Sequence, residues 1–160
     1  NYAENPLRPE GAFARARARQ IINILQLYVE TQVRQLFPGV FMGGSNQPAT
    51  VAAVRVMLDR SAAALGRLLA PAPFLLGDRP GQADLFAWYN LDIADRVTRT
   101  VYGTSIVAEI GGLAPWWSAM EARESTRIVI ADFLDSFEAY LAGHGAAYRL
   151  DEARKSLSHA

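Results

Sequence analysis

Apolar residues recur along this chain at helical intervals. From Phe13 onward Ile22, Leu25, Val29, Val33 and Leu36 repeat at spacings of three and four, with Ala14, Ala18 and Ile21 beside the stripe, until Pro38-Gly39 stops the run. The pattern predicts one long helix. A second apolar edge, Ile24, Leu27 and Tyr28, makes that helix wider than one stripe requires and predicts packing on two sides. Phe41 to Gln47 reads as a loop of Gly, Ser and Asn, and Pro48 suits the first turn of a second helix. There Val51, Val54, Leu58, Ala62, Leu65 and Leu68 trace one face, while Arg55, Asp59, Arg60 and Arg67 occupy the others. Pro71-Ala72-Pro73 ends it.

A turn at Asp78 to Gly81 then runs into a nearly wholly apolar segment, Leu85 to Leu91, which predicts a central, buried helix from about Gln82 to Arg99. With Gly81 as N-cap, Asp84 falls at the third helical position, where a carboxylate can fold back to the N-cap N–H. Asp92 with Arg96 and Asp95 with Arg99 form i,i+4 pairs, which suggest that the second half of this helix is solvated. A short element at Ile106 to Ile110, a helix containing Trp116, Trp117 and Met120, and a last helix presenting Ile128, Ile130, Phe133, Phe137 and Leu141 complete the pattern. No strand pattern competes. The fold class read from the chain is all-α, about five to six helices around one buried central helix, with residues 1–11 an arm and 12–160 the domain.

Composition removes several kinds of chemistry. The 160 residues hold 16 basic and 16 acidic side chains, so no global field attracts nucleic acid or an anionic membrane. Arg15, Arg17 and Arg19 step about 200° around a helix and scatter instead of forming a groove. Trp116-Trp117, without a basic stripe, reads as packing and not as a base-stacking platform. There is no cysteine, and His144 and His159 lie near the end, so no metal site is expected. The charge-free stretch Leu68 to Gly77 holds two prolines and is far shorter than the ~20 apolar residues a membrane span needs. Because Asn1 is a poor position for methionine removal, the natural protein is expected to begin upstream.

Several separated motifs, in order, resemble the C-terminal helical domain of cytosolic glutathione transferases. They are the Pro-containing arm with Arg15-Ala16-Arg17-Ala18-Arg19-Gln20, then Phe74-Leu75-Leu76-Gly77-Asp78-Arg79-Pro80, Ala83-Asp84-Leu85, and the run from Leu113 through Trp116-Trp117, Met120 and Arg123 to Ser125. Gly81 departs from the Ser or Thr usual at the family's N-cap, which leaves Asp84 to carry the capping. The resemblance implies a parent enzyme that transfers glutathione to small hydrophobic electrophiles. It also implies a preceding thioredoxin-like domain, not contained in this sequence, that binds glutathione and holds the activating residue, so no catalytic residue is expected here. The electrophile wall is implied at Tyr28, Phe37, Phe41 and Met42, with Trp88 or Tyr89 from the central helix, and Asn23 is implied to reach glutathione bound to a partner subunit. A cytoplasmic homodimer paired through the first two helices follows from the same resemblance. The alternative reading is a non-catalytic interaction module, a role the same helical fold also serves.

Overall fold

The computed structural model describes residues 7–150; the start of the expected arm and the tail with Lys155 and His159 lie outside the described residues. The first helical rod begins as α1 (Ala12–Ile24), passes without a break through a π-helical segment (Leu25–Glu30), and ends as α2 (Thr31–Arg34). Its buried residues are Ala18, Ile21, Leu25, Val29 and Val33. Three successive steps of four residues overshoot a 3.6-residue turn by about 40° each, and the wider π turn absorbs that drift. This is why Ile21, and not Ile22, lies on the buried line, while Leu27 and Tyr28 face outward at 55% and 48% exposure. The Gln26 carbonyl accepts both the backbone N–H of Thr31 and, at 2.7 Å, the Thr31 hydroxyl, which closes the end of the wide turn.

The first rod ends before Pro38-Gly39, as the spacing predicts, but Phe41, expected at the start of the loop, is helical. Pro38 sits in the first turn of a short helix, α3 (Phe37–Phe41), whose Val40 and Phe41 are buried. The loop that follows is closed by Asn46, which accepts from the Gly39 N–H at 3.0 Å and donates to the Leu36 carbonyl at 2.9 Å. The second long helix, α4 (Pro48–Leu68), buries Val54, Leu58, Ala62 and Leu65 on the expected face.

At the centre lies α5 (Gln82–Tyr102), packed most extensively against the π segment. Asp84 is 1% exposed and accepts three N–H groups. One carboxylate oxygen receives the Gly81 N–H at 2.8 Å, the capping bond the spacing predicts. The other receives the Leu75 N–H and the Trp116 indole N–H, each at 2.8 Å. The cap therefore also fixes the turn before the helix and a later helix beyond it. Gly81 has a local reason as well: the Leu7 carbonyl accepts from the Gln82 N–H at 2.8 Å, and a Cβ on Gly81 would come within 3.0 Å of that carbonyl.

The second half of α5 overturns the expectation of a solvated surface, because Asp92, Asp95, Arg96 and Thr98 are all buried. The i,i+4 pairs exist, but Asp92, Asp95 and Arg96 in them are buried and Arg99 alone of the four reaches solvent. Arg96 binds Asp92 through Nε at 2.9 Å and donates to the Tyr148 hydroxyl at 3.3 Å. Asp95 accepts from Arg99 Nε at 2.6 Å and from the Ser105 hydroxyl at 2.5 Å. Ser105 caps the short helix α6 (Ile106–Glu109), so a buried carboxylate of the central helix anchors the start of the next one.

The remaining helices are α7 (Ala114–Glu121), with Trp116 and Met120 buried, and α8 (Glu124–Gly143), with Ile130, Leu134, Phe137 and Leu141 buried. Ile128, expected on that inner face, is 57% exposed, as its spacing of two from Ile130 requires on a helix. The described residues form an all-α fold whose one β feature is an isolated bridge between Phe74 and Gly77.

Two outcomes follow for thermal and chemical denaturation. Asp84→Ala strands three donors, two of them outside its own helix, and is expected to cost about 3 kcal/mol or more, whereas Trp116→Phe, which removes one bond, costs about 1–3 kcal/mol. An Asp84 variant no less stable than Asp132→Ala, an exposed carboxylate change, would contradict this account. Arg96→Met is expected to cost about 3–5 kcal/mol because it leaves the Asp92 charge buried, while the double change Asp92→Leu with Arg96→Met costs less than Arg96→Met alone.

Candidate functional site

A cavity of about 480 Å3 opens between the end of the first rod, α3, the middle of α5 and α8. Its position follows from two local features. The left-handed backbone at Gly43, φ 66°, lies so close to the His144 carbonyl that a Cβ there would collide with it. The chain leaving α3 can thus lie on the C-terminal end of α8. The result is an aromatic cluster: the Phe41 ring meets Phe37, Phe137 and Tyr148 edge-on, each at 5.1 Å between centroids, and Phe133 stacks on Phe137 at 4.9 Å. Edge-to-face contacts of this kind favour rigid, well-packed walls.

Charge enters the site only in matched pairs. At the mouth, Arg34 binds Glu30 through Nε at 2.9 Å and Nη2 at 2.6 Å, and its guanidinium lies 5.4 Å from the Phe37 ring centroid. Deeper in, Asp92 is paired with Arg96, whose guanidinium lies 5.9 Å from the Phe133 ring centroid. Burial pushes the Tyr89 hydroxyl above its ordinary pKa, so it stays protonated and able to donate through the physiological range. Asn90, beside it on α5, also lines the cavity. The arrangement can exclude water, hold a flat apolar molecule against aromatic rings and offer a few polar contacts. Among the described residues no cysteine, serine, threonine or histidine lines the cavity.

Of the residues singled out in the sequence, Phe37, Phe41, Met42 and Tyr89 all line this one cavity, with Met42 and Tyr89 partly exposed. Tyr28 does not line it. The Tyr28 side chain is on the outer side of the first rod, and its carbonyl accepts from the Ser61 hydroxyl at 3.0 Å. Asn23 is exposed on α1, away from the cavity lining. Trp88 is buried and stacks on Trp117 at 5.6 Å, outside the lining. Sequence reasoning missed Phe133, Phe137 and Tyr140 as wall residues because their helical spacing reads equally as core. Asn90 carried a signal, a polar residue inside the apolar run from Leu85 to Leu91.

Among the described residues no three His, Cys, Asp or Glu side chains stand together as a metal cluster, and no helix is long and apolar enough to cross a membrane. Residues 48–120 match the family model of the glutathione S-transferase C-terminal domain. Over 135 residues the chain is 25% identical to a glutathione S-transferase of Pseudomonas putida, covering 84% of this chain and 61% of that protein. The match thus spans a little over half the length of the relative, while the family model and the all-helical architecture agree on the same segment. The matched segment, residues 48–120, is of the glutathione S-transferase C-terminal helical type.

Proposed function

We propose that this domain supplies the electrophile-binding wall of a glutathione transferase, and that the aromatic cavity between α3, α5 and α8 is where the electrophile sits. The observation that carries the reading is the convergence of Phe37, Phe41, Met42 and Tyr89 on one apolar cavity in a domain of this family. In the proposed reaction a thioredoxin-like domain of the same protein holds glutathione and its thiolate. The thiolate is the nucleophile. Its sulfur bonds to the electrophilic carbon, and the leaving group departs with the bonding pair. The helical domain contributes orientation and exclusion of water.

The proposed assembly is a cytoplasmic homodimer. The outward-facing Leu27 and Tyr28 of the first rod and Val56 of α4 support it, since they place apolar area on the two helices through which the family pairs. Asn23, exposed one helical turn before Leu27, is proposed to contact glutathione held by the partner subunit.

Steady-state kinetics of the intact protein with glutathione and an activated aryl halide test the reaction. Phe37→Ala and Tyr89→Ala are expected to raise KM for the halide severalfold while KM for glutathione stays within about twofold, the pattern of lost ground-state binding at one substrate only. Absence of thioether product from the wild type would overturn the reading. For the assembly, Leu27→Glu with Tyr28→Glu is expected to convert a dimer to a monomer in sedimentation velocity at micromolar concentration. A wild-type monomer would remove the dimer.

A further inference from the structure

The charges around the aromatic cavity are unevenly placed. Among the described residues Arg34 is the only cation on the lining, against two carboxylates, Glu30 and Asp92. Arg34 directs two nitrogens to one Glu30 oxygen, Oε1, at 2.9 and 2.6 Å. Its side chain is 61% exposed and that of Glu30 25%, so the positive end of the pair lies in water, which screens it, and the negative end lies nearer the interior. The second pair is arranged the same way. Asp92 borders the cavity, whereas Arg96, which binds it at 2.9 Å, is not on the lining and also donates to the Tyr148 hydroxyl.

The remaining polar groups of the lining do not offset this. Burial keeps the Tyr89 hydroxyl protonated, and the hydroxyls of Tyr89 and Tyr140 can each donate or accept, so they serve a ligand of either sign. The Asn90 nitrogen is taken by the Phe86 carbonyl at 2.8 Å and its oxygen is buried, so that amide adds nothing to the choice. The other walls are rings. An aromatic face is the negative side of the ring quadrupole and attracts cations, and two lining rings already do so, Phe37 with Arg34 at 5.4 Å and Phe133 with Arg96 at 5.9 Å. An anion entering this space sheds its water and meets only a guanidinium already held by Glu30, whereas a delocalised cation meets carboxylates and ring faces.

We propose that the cavity selects planar aromatic cations, in which the positive charge is spread through the ring as in N-alkylated aza-arenes, over aromatic anions of the same size. This rests on the reading of the cavity as the electrophile site and gives its preferred substrates a sign of charge. The two members of the pair at the mouth then act in opposite directions. Glu30 favours the cation and Arg34 opposes it, although they form a single salt bridge.

Equilibrium dialysis of the intact protein with 1-methylquinolinium, 1-naphthoate and the uncharged 1-methylnaphthalene tests it, with S-methylglutathione present throughout so that a glutathione site is filled by a thioether that cannot react. The affinity for 1-methylquinolinium is expected to exceed that for 1-naphthoate about tenfold. Glu30→Gln is expected to shrink that ratio about threefold and Arg34→Gln to widen it about threefold, opposite shifts that a purely structural role of the salt bridge would not give. If 1-naphthoate binds as tightly as 1-methylquinolinium, or if the two variants fail to move the ratio in opposite directions, charge selection is overturned, while bound 1-methylnaphthalene leaves the apolar cavity standing. If 1-methylnaphthalene fails to bind the wild type, or binds Phe37→Ala equally well, the cavity is overturned as the electrophile site and the selection with it.

Discussion

The carboxylate of Asp84 is the contact on which the rest of the fold depends. Three N–H groups from three separate stretches of chain converge on it: the turn at Leu75, the helix start at Gly81 and the indole of Trp116 on α7. A buried negative charge is expensive in an apolar interior, and it is tolerated here because each donor that offsets it would itself be stranded without it. Removing either side leaves the other exposed to the same penalty. The direction of α5 and the seat of α7 are thus set by one group, and the position of Tyr89 and Asn90 on the cavity wall follows from the direction of α5.

Much of this architecture was legible in the residues. The face of α4, the capping distance between Gly81 and Asp84 and the all-helical class all follow from spacing alone, since a 3.6-residue period and a three-residue capping offset are local properties. What spacing could not reveal was where polar residues would be buried. Asp92, Asp95 and Arg96 look like an exposed charge ladder because i,i+4 pairs are the same on a solvated face and inside a core. The distinction lies in distant partners, the Tyr148 hydroxyl and the Ser105 hydroxyl, many residues away in sequence.

The candidate site shows the same division. Phe37, Phe41 and Met42 are neighbours in the chain, and Tyr89 was implied with them by family likeness; the cavity unites all four. The opposite wall belongs to α8, whose Phe133 and Phe137 carry no mark separating a lining ring from a core ring. Tyr28 turns outward for a reason invisible in a periodic reading: the π turn that keeps Leu25, Val29 and Val33 in line also decides which residues between them face away. Winding, and not composition, sets the inner and outer sides of that rod.

The bond between the Leu7 carbonyl and the Gln82 N–H joins the arm to the start of the central helix through backbone atoms alone. Such a clasp is indifferent to side-chain identity. Substitutions along the arm can accumulate without loosening it, provided the main chain keeps its path, whereas position 82 cannot become proline and position 81 has little room for any side chain. Freedom of side chain in the arm and strict limits at the helix start therefore belong to one and the same contact.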